Sequence, residues 1–395
     1  MQRPKHIELT SEQTRLVDEL KHWYRHSSRQ WYSYTGPAGT GKTTVVRKAI
    51  EELGIERYVT CAFVGKAVTV LARQGLPAST IHSLIYNVVW VPVVDDKGIP
   101  VLNQDGNPKM RVEFSLKPSI KDDPQLIIVD EATMVNDDLA EDILSFGIKT
   151  VFIGDNNQLP PVFGISSVMA NPDFFLTKIM RQAEDSPIIY LSQRVLNHQP
   201  LIVGQYGSSR VLQALHLGDN YEDYDAIIAA KNQMRDAINN HIRRNVLRIR
   251  SDLPVIGDKL ICRQNDWDRS VDGNIYLTTG MSGTVIDCFN DRASPRYMTI
   301  DFQPDITDSV FYGIQLDSRY IKMGYEDRKL YGISRYEKFE YGYAITCHAS
   351  QGSQYDRVLF LNQWFHDADL TRKIQYTAIT RAVECIDIAY EIVFI

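Results

Sequence analysis

Cysteine is scarce in this chain: five among 395 residues, at Cys61, Cys262, Cys288, Cys347 and Cys385, with no C-x-x-C pair. That excludes a disulfide-stapled scaffold and reads as reduced thiols of a cytosolic protein, most of them buried. Long apolar runs are missing too. Nothing approaches the roughly 20 apolar residues of a membrane span, and Met1 to Leu9 is polar and charged, without the apolar core of a signal peptide. Neither sign of charge dominates, with 43 basic against 49 acidic side chains and a pI of about 5.9. The balance argues against nucleic-acid binding over the whole surface and leaves room for a local basic track. Repeats and low-complexity segments are absent. A chain of 395 residues is expected to fold as two or more domains.

What is present is more specific. Gly36-Pro37-Ala38-Gly39-Thr40-Gly41-Lys42-Thr43 fits G-x-x-x-x-G-K-[ST]. An aromatic, strand-like run from Trp31 to Thr35 precedes it, and a helical pattern from Thr44 to Leu53 follows. Strand, glycine loop and helix are the context in which this motif holds phosphate. The glycines let backbone N–H groups close around phosphate oxygens, and the helix N-terminus adds a favourable dipole. Gly36 to Thr44 are the expected nucleotide contacts. Lys42 would reach the β and γ phosphates, and Thr43 would hold Mg²⁺.

Two further strings carry chemistry. Leu126-Ile127-Ile128-Val129 is an apolar strand that ends in Asp130-Glu131. A buried parallel strand delivers such acids to the edge where ligands sit in α/β sheets. Asp130 would orient Mg²⁺, and Glu131 would polarise the attacking water. Val151-Phe152-Ile153-Gly154-Asp155 runs on through Gln158 into Leu159-Pro160-Pro161. The Gln158 amide can donate to a γ phosphate and accept from water, which suits it to sensing that phosphate. Short β-rich runs alternate with helical stretches along the whole chain, at Trp31–Thr35, Tyr58–Phe63, Leu126–Asp130, Thr150–Gly154, Ala226–Ala230, Tyr343–Thr346, Val358–Leu361 and Ile386–Tyr390. This suggests α/β units around two parallel sheets. Tyr86–Pro118 reads as an inserted β-meander, and Arg263–Tyr341 as a second β-rich insertion.

The P-loop, Asp130-Glu131-Ala132 and Gly154-Asp155-x-x-Gln158-Leu159-Pro160-Pro161 resemble motifs I, II and III of superfamily 1 helicases. The Leu-Pro-Pro is similar to the RecD-type branch, superfamily 1B, and the compactness to the Dda-type helicases of phages. Other strings resemble family motifs in order: Leu9-Thr10-Ser11-Glu12-Gln13 the Q-motif, Gly65-Lys66-Ala67 motif Ia, Ser79 to Leu84 motif Ib, and Met180-Arg181-Gln182 motif IV. Thr346 to Ser353 resembles motif V, and Tyr376-Thr377-Ala378-Ile379-Thr380-Arg381-Ala382 motif VI. The resemblance implies an α/β chain of two RecA-like parallel-sheet domains with two small β-rich insertions. The first domain is expected at 1–85 and 119–185, with a pin at 86–118. The second is expected at 186–262 and 342–395, with an SH3-like insertion at 263–341.

The same resemblance implies an ATP- and Mg²⁺-dependent DNA helicase with the nucleotide between the domains. Gln13 would read adenine. Arg381 and Arg181 would reach the γ phosphate as arginine fingers. Phe63, Val64, Lys66, Thr80, His82, Thr346 and His348 would line a single-strand track, with Trp90 as a stacking or wedge residue on the pin. His82 and His348 read equally as structural histidines, Lys66 also as a surface lysine, and Phe114 as a second stacking or wedge residue, with a small satellite core as the alternative for Trp90 and, more so, for Phe114. Single-stranded DNA and its junctions with duplex are the implied partners, with a single-strand-binding or replisome protein beside them, no membrane, and a monomer. The implied polarity is 5′→3′ and the implied compartment the cytoplasm, that of a bacterial host if phage-encoded. Replication, recombination and repair are the implied settings. An RNA helicase of the Upf type and an ATP-gated strand-binding module are the alternative readings.

The chain departs from the family at Phe63-Val64, where Pro-Thr is common, at Ala349, where Lys is common, and at Gln354, where Glu is common. These changes bear on strand affinity more than on hydrolysis. In the second insertion, bases and aromatics interleave from Arg319 to Phe339, as on a nucleic-acid surface or on a solvated, tyrosine-rich face of the insertion. His241 to Arg250 reads as an exposed charged helical face.

Overall fold

A computed structural model describes residues 9–73, 75–94, 98–100, 108, 110–161, 164–180, 185–272, 275–289, 297–330 and 336–394. Thr10 starts the first helix, Ser11–His26, through a capping box. Its hydroxyl accepts from Gln13 N–H while the Gln13 side chain accepts from Thr10 N–H. The strands that follow are β1 (Trp31–Thr35), β2 (Tyr58–Ala62), β3 (Ala78–Thr80), β4 (Tyr86–Pro92), β5 (Met110–Leu116), β6 (Leu126–Asp130), β7 (Lys149–Gly154) and β8 (Phe174–Phe175). Six of them form one sheet in the order β3-β2-β6-β7-β1-β8, with every pair parallel. Period-two alternation divides the apolar residues between its faces. Ile128, Val151 and Ile153 pack under the helices Ser11–His26 and Lys42–Leu53. Ile127, Val129 and Phe152 face Ile81, Leu139 and Ile143. Because the strands are parallel, β1, β2, β3, β6 and β7 all deliver their C-terminal ends to one edge.

The meander expected over Tyr86–Pro118 is, among the described residues, a hairpin: β4 and β5 pair antiparallel from Tyr86↔Leu116 to Pro92↔Met110. A bridge between Val94 and Pro100 extends it.

The second half repeats the plan. It runs through β9 (Gly204–Tyr206), β10 (Ser209–Leu217) and β11 (Ala226–Ala229), then the helix Asn232–His241, which ends in a π turn at Ile242–Val246. The chain next builds β12 (Lys259–Cys262), β13 (Asp266–Val271), β14 (Ile275–Leu277), β15 (Ser282–Phe289), β16 (Tyr297–Pro304), β17 (Phe311–Asp317) and β18 (Phe339–Tyr341). It returns as β19 (Ala344–Thr346), β20 (Tyr355–Leu361) and β21 (Ala382–Phe394). The second six-stranded sheet runs β19-β11-β20-β21-β10-β9 and is parallel except for β9. The inserted sheet, β17-β16-β15-β12-β18, is antiparallel. It already takes in Lys259–Cys262. Its core residues Ile300, Phe302 and Phe339 join Ile227 and Leu359 of the second sheet and Ile238 of the helix Asn232–His241 in one cluster. Each such side chain buried stabilises by about 1.5–3 kcal/mol, so the insertion is welded to its sheet.

That weld corrects two expectations. The His241–Arg250 stretch is not an exposed charged face throughout. Arg243 is 2% exposed and its guanidinium meets Asp258 at 2.9 Å through both Nε and Nη2. Asp258 also accepts from Tyr343 Oη at 2.6 Å and from Val255 N at 2.8 Å, and His241 Nε2 lies 2.8 Å from Leu217 O. The helical period identifies a charged stripe but not the inserted sheet that lands on it. We expect Arg243→Ala to cost about 3–5 kcal/mol by stranding the buried Asp258 carboxylate, read as a lowered urea midpoint.

The alternation from Arg319 to Phe339 also turns largely inward. Tyr320, Tyr336 and Phe339 are buried. Arg328 lies 3.4 Å from Asp236 and 3.5 Å from Glu340, and Arg235 lies 2.7 Å from Glu340. These bases neutralise buried acids between insertion and sheet, while Arg319 and Lys322 remain exposed. The cysteines are all free, with Cys61, Cys262 and Cys347 buried. Among the described residues no helix is long and apolar enough to cross a membrane.

Candidate nucleotide site and strand-facing edge

The glycine loop joins the end of β1 to the helix Lys42–Leu53. Gly41, the N-cap of that helix, has φ +76°, and a Cβ there would stand 2.5 Å from Gln13 Nε2 and 2.7 Å from Met180 Sδ. Only glycine satisfies both demands. Gln13, expected to read adenine, is fully buried and commits its amide to the protein. Its Nε2 donates to Thr40 O at 2.8 Å and its Oε1 accepts from Thr10 N at 2.9 Å. In this structure it braces the loop against the first helix. Lys42 Nζ donates to Gly36 O at 2.7 Å and Pro37 O at 3.3 Å, so the ammonium already sits within the loop's curl.

A cleft of about 910 Å³ opens over this loop. The first sheet lines it with Gly39, Gly41, Lys42, Thr43, Thr44, Asp130, Glu131 and Gln158, and the second half closes it with Gly352, Ser353, Gln354, Thr380 and Arg381. Gly36, Pro37 and Thr40 form the loop behind, where Thr40 Oγ1 donates to Pro37 O at 2.9 Å. Arg381 is 4% exposed and held on all sides. Its Nε donates to Thr377 O at 3.1 Å, its Nη1 to Ser353 O at 3.2 Å, and its Nη2 to Gln158 Oε1 at 3.1 Å. Its Nη1 lies 3.9 Å from Glu131 Oε1. Arg381 and Gln158 are thus in contact across the cleft. Arg181 falls outside the described residues.

Two features suit this cleft to hydrolysis. Glu131 has φ +51° and ψ +40°, a left-handed conformation that costs a side-chain-bearing residue roughly 1–3 kcal/mol and clusters at functional sites. Asp130 accepts from Glu131 N–H at 2.9 Å. Its carboxyl is pushed up to about 6, by burial first and then by the Glu131 carboxylate, against that hydrogen bond and the Lys42 charge. Ionising Asp130 is therefore costlier in the folded chain than in the unfolded one. Its stabilising contribution is full below about pH 4 and is lost as pH rises through about 6. Without nucleotide or Mg²⁺, Asp130→Asn is expected to raise Tm by a few degrees at pH 8 and to leave it nearly unchanged at pH 4, a comparison for differential scanning calorimetry.

The donor set fits a magnesium nucleotide. The described residues hold no cluster of three His, Cys, Asp or Glu side chains for a metal. Thr43 and Asp130 both line the cleft, and Mg²⁺ takes one or two protein oxygens and completes its shell with phosphate and water. Ser353 Oγ, buried in the cleft wall, has no hydrogen-bond partner. Sequence reasoning missed it because a serine carries no spacing signature.

The expected strand contacts fall into two groups. Phe63, beyond β2, His82, beyond β3, and Phe114 on the hairpin form one aromatic cluster with Tyr86. His82 lies 5.9 Å from Phe63, 5.4 Å from Phe114 and 5.5 Å from Tyr86, between ring centroids. Phe63 and Phe114 keep 37% and 41% exposure, so these rings present a face. Burial lowers the pKa of His82, which leaves it a neutral ring rather than a phosphate-binding cation. The Thr80 hydroxyl caps the helix Ile81–Ile85 and donates to Ser83 Oγ at 2.8 Å. Val64 packs across the interface instead: a Cβ on Gly352, whose φ is +69°, would stand 2.3 Å from its Cγ2. Thr346 and His348 lie at the end of β19, where Thr346 Oγ1 accepts from Ala349 N at 3.3 Å. The side chains of Lys66 and Trp90 fall outside the described residues. Trp364, 65% exposed just beyond β20, lies on the same edge of the second sheet as Thr346. No motif pointed to it, and only its exposure singles it out.

Residues 8–214 match the AAA domain family, and residues 341–384 match the UvrD-like helicase C-terminal domain. The chain is 26% identical to the ATP-dependent RecD2 DNA helicase of Deinococcus radiodurans, across 95% of this chain and 48% of that protein. It is 24% identical to the ATP-dependent DNA helicase dda of Enterobacteria phage T4, across 88% of this chain and 91% of that one. It spans about half or less of several relatives, among them a conjugal transfer protein TraA of Agrobacterium fabrum at 30% of its length. The crystal structure of Bacteroides Pif1 bound to ssDNA shares the fold, with a TM-score of 0.54 at 18% identity over 96% of this chain and 92% of that one.

Proposed function

We propose, from the premise that the chain belongs to the superfamily 1B helicases of the RecD and Dda type, that it is an ATP-driven DNA helicase. It moves 5′→3′ on single-stranded DNA and opens duplex at junctions. The observation that carries this reading is the contact of Arg381 with Gln158 at 3.1 Å above the glycine loop. Residues from both sheets complete one cleft, so hydrolysis there is sensitive to how the sheets stand to each other.

Lys42 and the loop amides bind the phosphates. Thr43 and Asp130 would hold Mg²⁺, which would supply positive charge against the phosphates. Glu131 accepts a proton from the attacking water, Gln158 orients that water, and Arg381 stabilises the charge that develops. Arg181 is assigned the same charge-stabilising role. Gln13 reaches adenine on this reading only by exchanging its bond to Thr40. Hydrolysis and release change the grip of two strand-facing surfaces. One holds Phe63, Val64, Lys66, Thr80, His82 and Trp90, and the other holds Thr346 and His348. The domain division at 1–85 with 119–185 and 186–262 with 342–395 belongs to this proposal. The partners it assigns are single-stranded DNA and its duplex junctions.

Strand displacement on duplexes with a 5′ or a 3′ single-stranded tail tests it. Unwinding of the 5′-tailed duplex alone is expected. Unwinding from the 3′ tail would reverse the polarity, and unwinding of neither would remove the helicase reading. ATPase stimulation by RNA over DNA would move it to the RNA class.

A further inference from the structure

Tyr376 lies in the helix Ala368–Ile379, five residues before Arg381, and has no role in the proposed chemistry. It is fully buried, among Leu191, Val195 and Ile374 of the second half's core. Its hydroxyl nonetheless makes both of its bonds to the first half. It accepts from Ala38 N–H in the glycine loop at 2.8 Å and donates to Asp155 Oδ2 at 2.6 Å. Asp155 is fully buried, and its other oxygen accepts from Asn157 N and Asn157 Nδ2, each at 3.1 Å. Its carbonyl accepts from Gln158 N at 2.9 Å. One carboxylate therefore shapes the turn that presents Gln158.

The same helix grips this turn again. Thr377 Oγ1 accepts from Leu159 N at 3.0 Å, and Leu159 O accepts from Gln351 Nε2 at 2.9 Å. Leu159 itself belongs to the second half's core cluster. Arg381 closes the series on Gln158.

We propose that Tyr376 is a positioning residue that couples the glycine loop to the Gln158 turn, its hydroxyl being bonded to both across the cleft. The inference rests on the ATPase reading of this cleft. A carboxylate only accepts, so Asp155 fixes the phenolic proton on its own side and turns the oxygen lone pair toward Ala38 N–H. Burial and Asp155 hold the phenol firmly protonated. Phosphate drawing the loop's N–H groups toward itself displaces Ala38, and a rigid ring in a packed core passes that shift to Asp155 and to the helix that carries Arg381. Motion of the second half on a strand travels the reverse path, as reciprocity of coupling requires.

The test measures ATP turnover with and without saturating single-stranded DNA for wild type, Tyr376→Phe, Asp155→Asn and the double variant. Tyr376→Phe keeps the ring and its packing but removes the shared atom. Expected is a fall of about 10-fold in the stimulation by DNA, seen in kcat, with KM for ATP changed by less than about 3-fold. Asp155→Asn should give the same loss, and the double variant should be no worse than either single one. A purely structural role would scale both rates with the folded fraction and leave the stimulation ratio untouched. Stimulation within about 2-fold of wild type in a folded single variant, or additive losses in the double variant, would overturn the proposal while leaving the helicase reading intact. Absence of stimulation in wild type would remove that reading, and this coupling with it.

Discussion

Arg381→Ala is expected to lower the single-strand-stimulated kcat for ATP by about 10³-fold or more, while ATP affinity changes by less than about 10-fold. The guanidinium is held by Thr377 O, Ser353 O and Gln158 Oε1 before any substrate arrives. A charge fixed in advance, in a buried cleft, costs no reorganisation when charge develops on the γ phosphate. Its largest effect is therefore on turnover rather than on binding. Arg381→Lys is expected to rescue little, because an ammonium cannot meet the Gln158 amide and two carbonyls in one plane. The variant also leaves Gln158 Oε1 unpaired, at a cost of about 1–3 kcal/mol in stability. Steady-state hydrolysis alongside titration with a fluorescent ATP analogue separates these terms.

Lys42→Ala is expected to lose both binding and turnover, with kcat down about 10²–10³-fold. The ammonium donates to Gly36 O and Pro37 O, so it is folded into the curl where phosphate oxygens would replace those carbonyls. Removing it takes away the charge that draws the phosphates in and the donor that follows them to the transition state. The two variants therefore differ in kind: Arg381→Ala binds ATP and fails to cleave it, whereas Lys42→Ala fails at both. Both should bind single-stranded DNA normally, because Lys42 and Arg381 make their bonds within the nucleotide cleft. Equal losses of ATP affinity in both would contradict the division of labour.

The nucleotide side of the site was legible in the sequence because each part is a local string on a fixed element. Gly36 to Thr43 sit between a strand and a helix, and Asp130 ends an apolar strand, so spacing alone places them. Even Gln158 and Arg381 stand in strings whose neighbours identify them. What stayed hidden depends on which distant element lands on a face. Arg243 and His241 lie on a helical stripe that reads as solvent-facing until Asp258 and Leu217 are brought to it. Tyr320 and Tyr336 alternate with bases as on an outer surface, yet they are buried against the second sheet's insertion. The strand Ser209–Leu217, paired between β21 and β9, was not foreseen, because its leucines and alanine carry no β-branched signal and its single valine, Val211, is too little. Tyr376 and Ser353 were hidden for a further reason. Their significance lies in single hydroxyl groups whose partners, or lack of them, belong to the other side of the cleft.

The central claim is that two sheets share one hydrolytic cleft whose closure answers to a bound strand. Steady-state ATP hydrolysis by the wild-type chain, measured across a titration of single-stranded DNA, tests it most directly. Turnover is predicted to rise by about 10-fold or more to a plateau. Turnover that stays undetectable at saturating strand, or that is brisk and indifferent to it, would contradict the account.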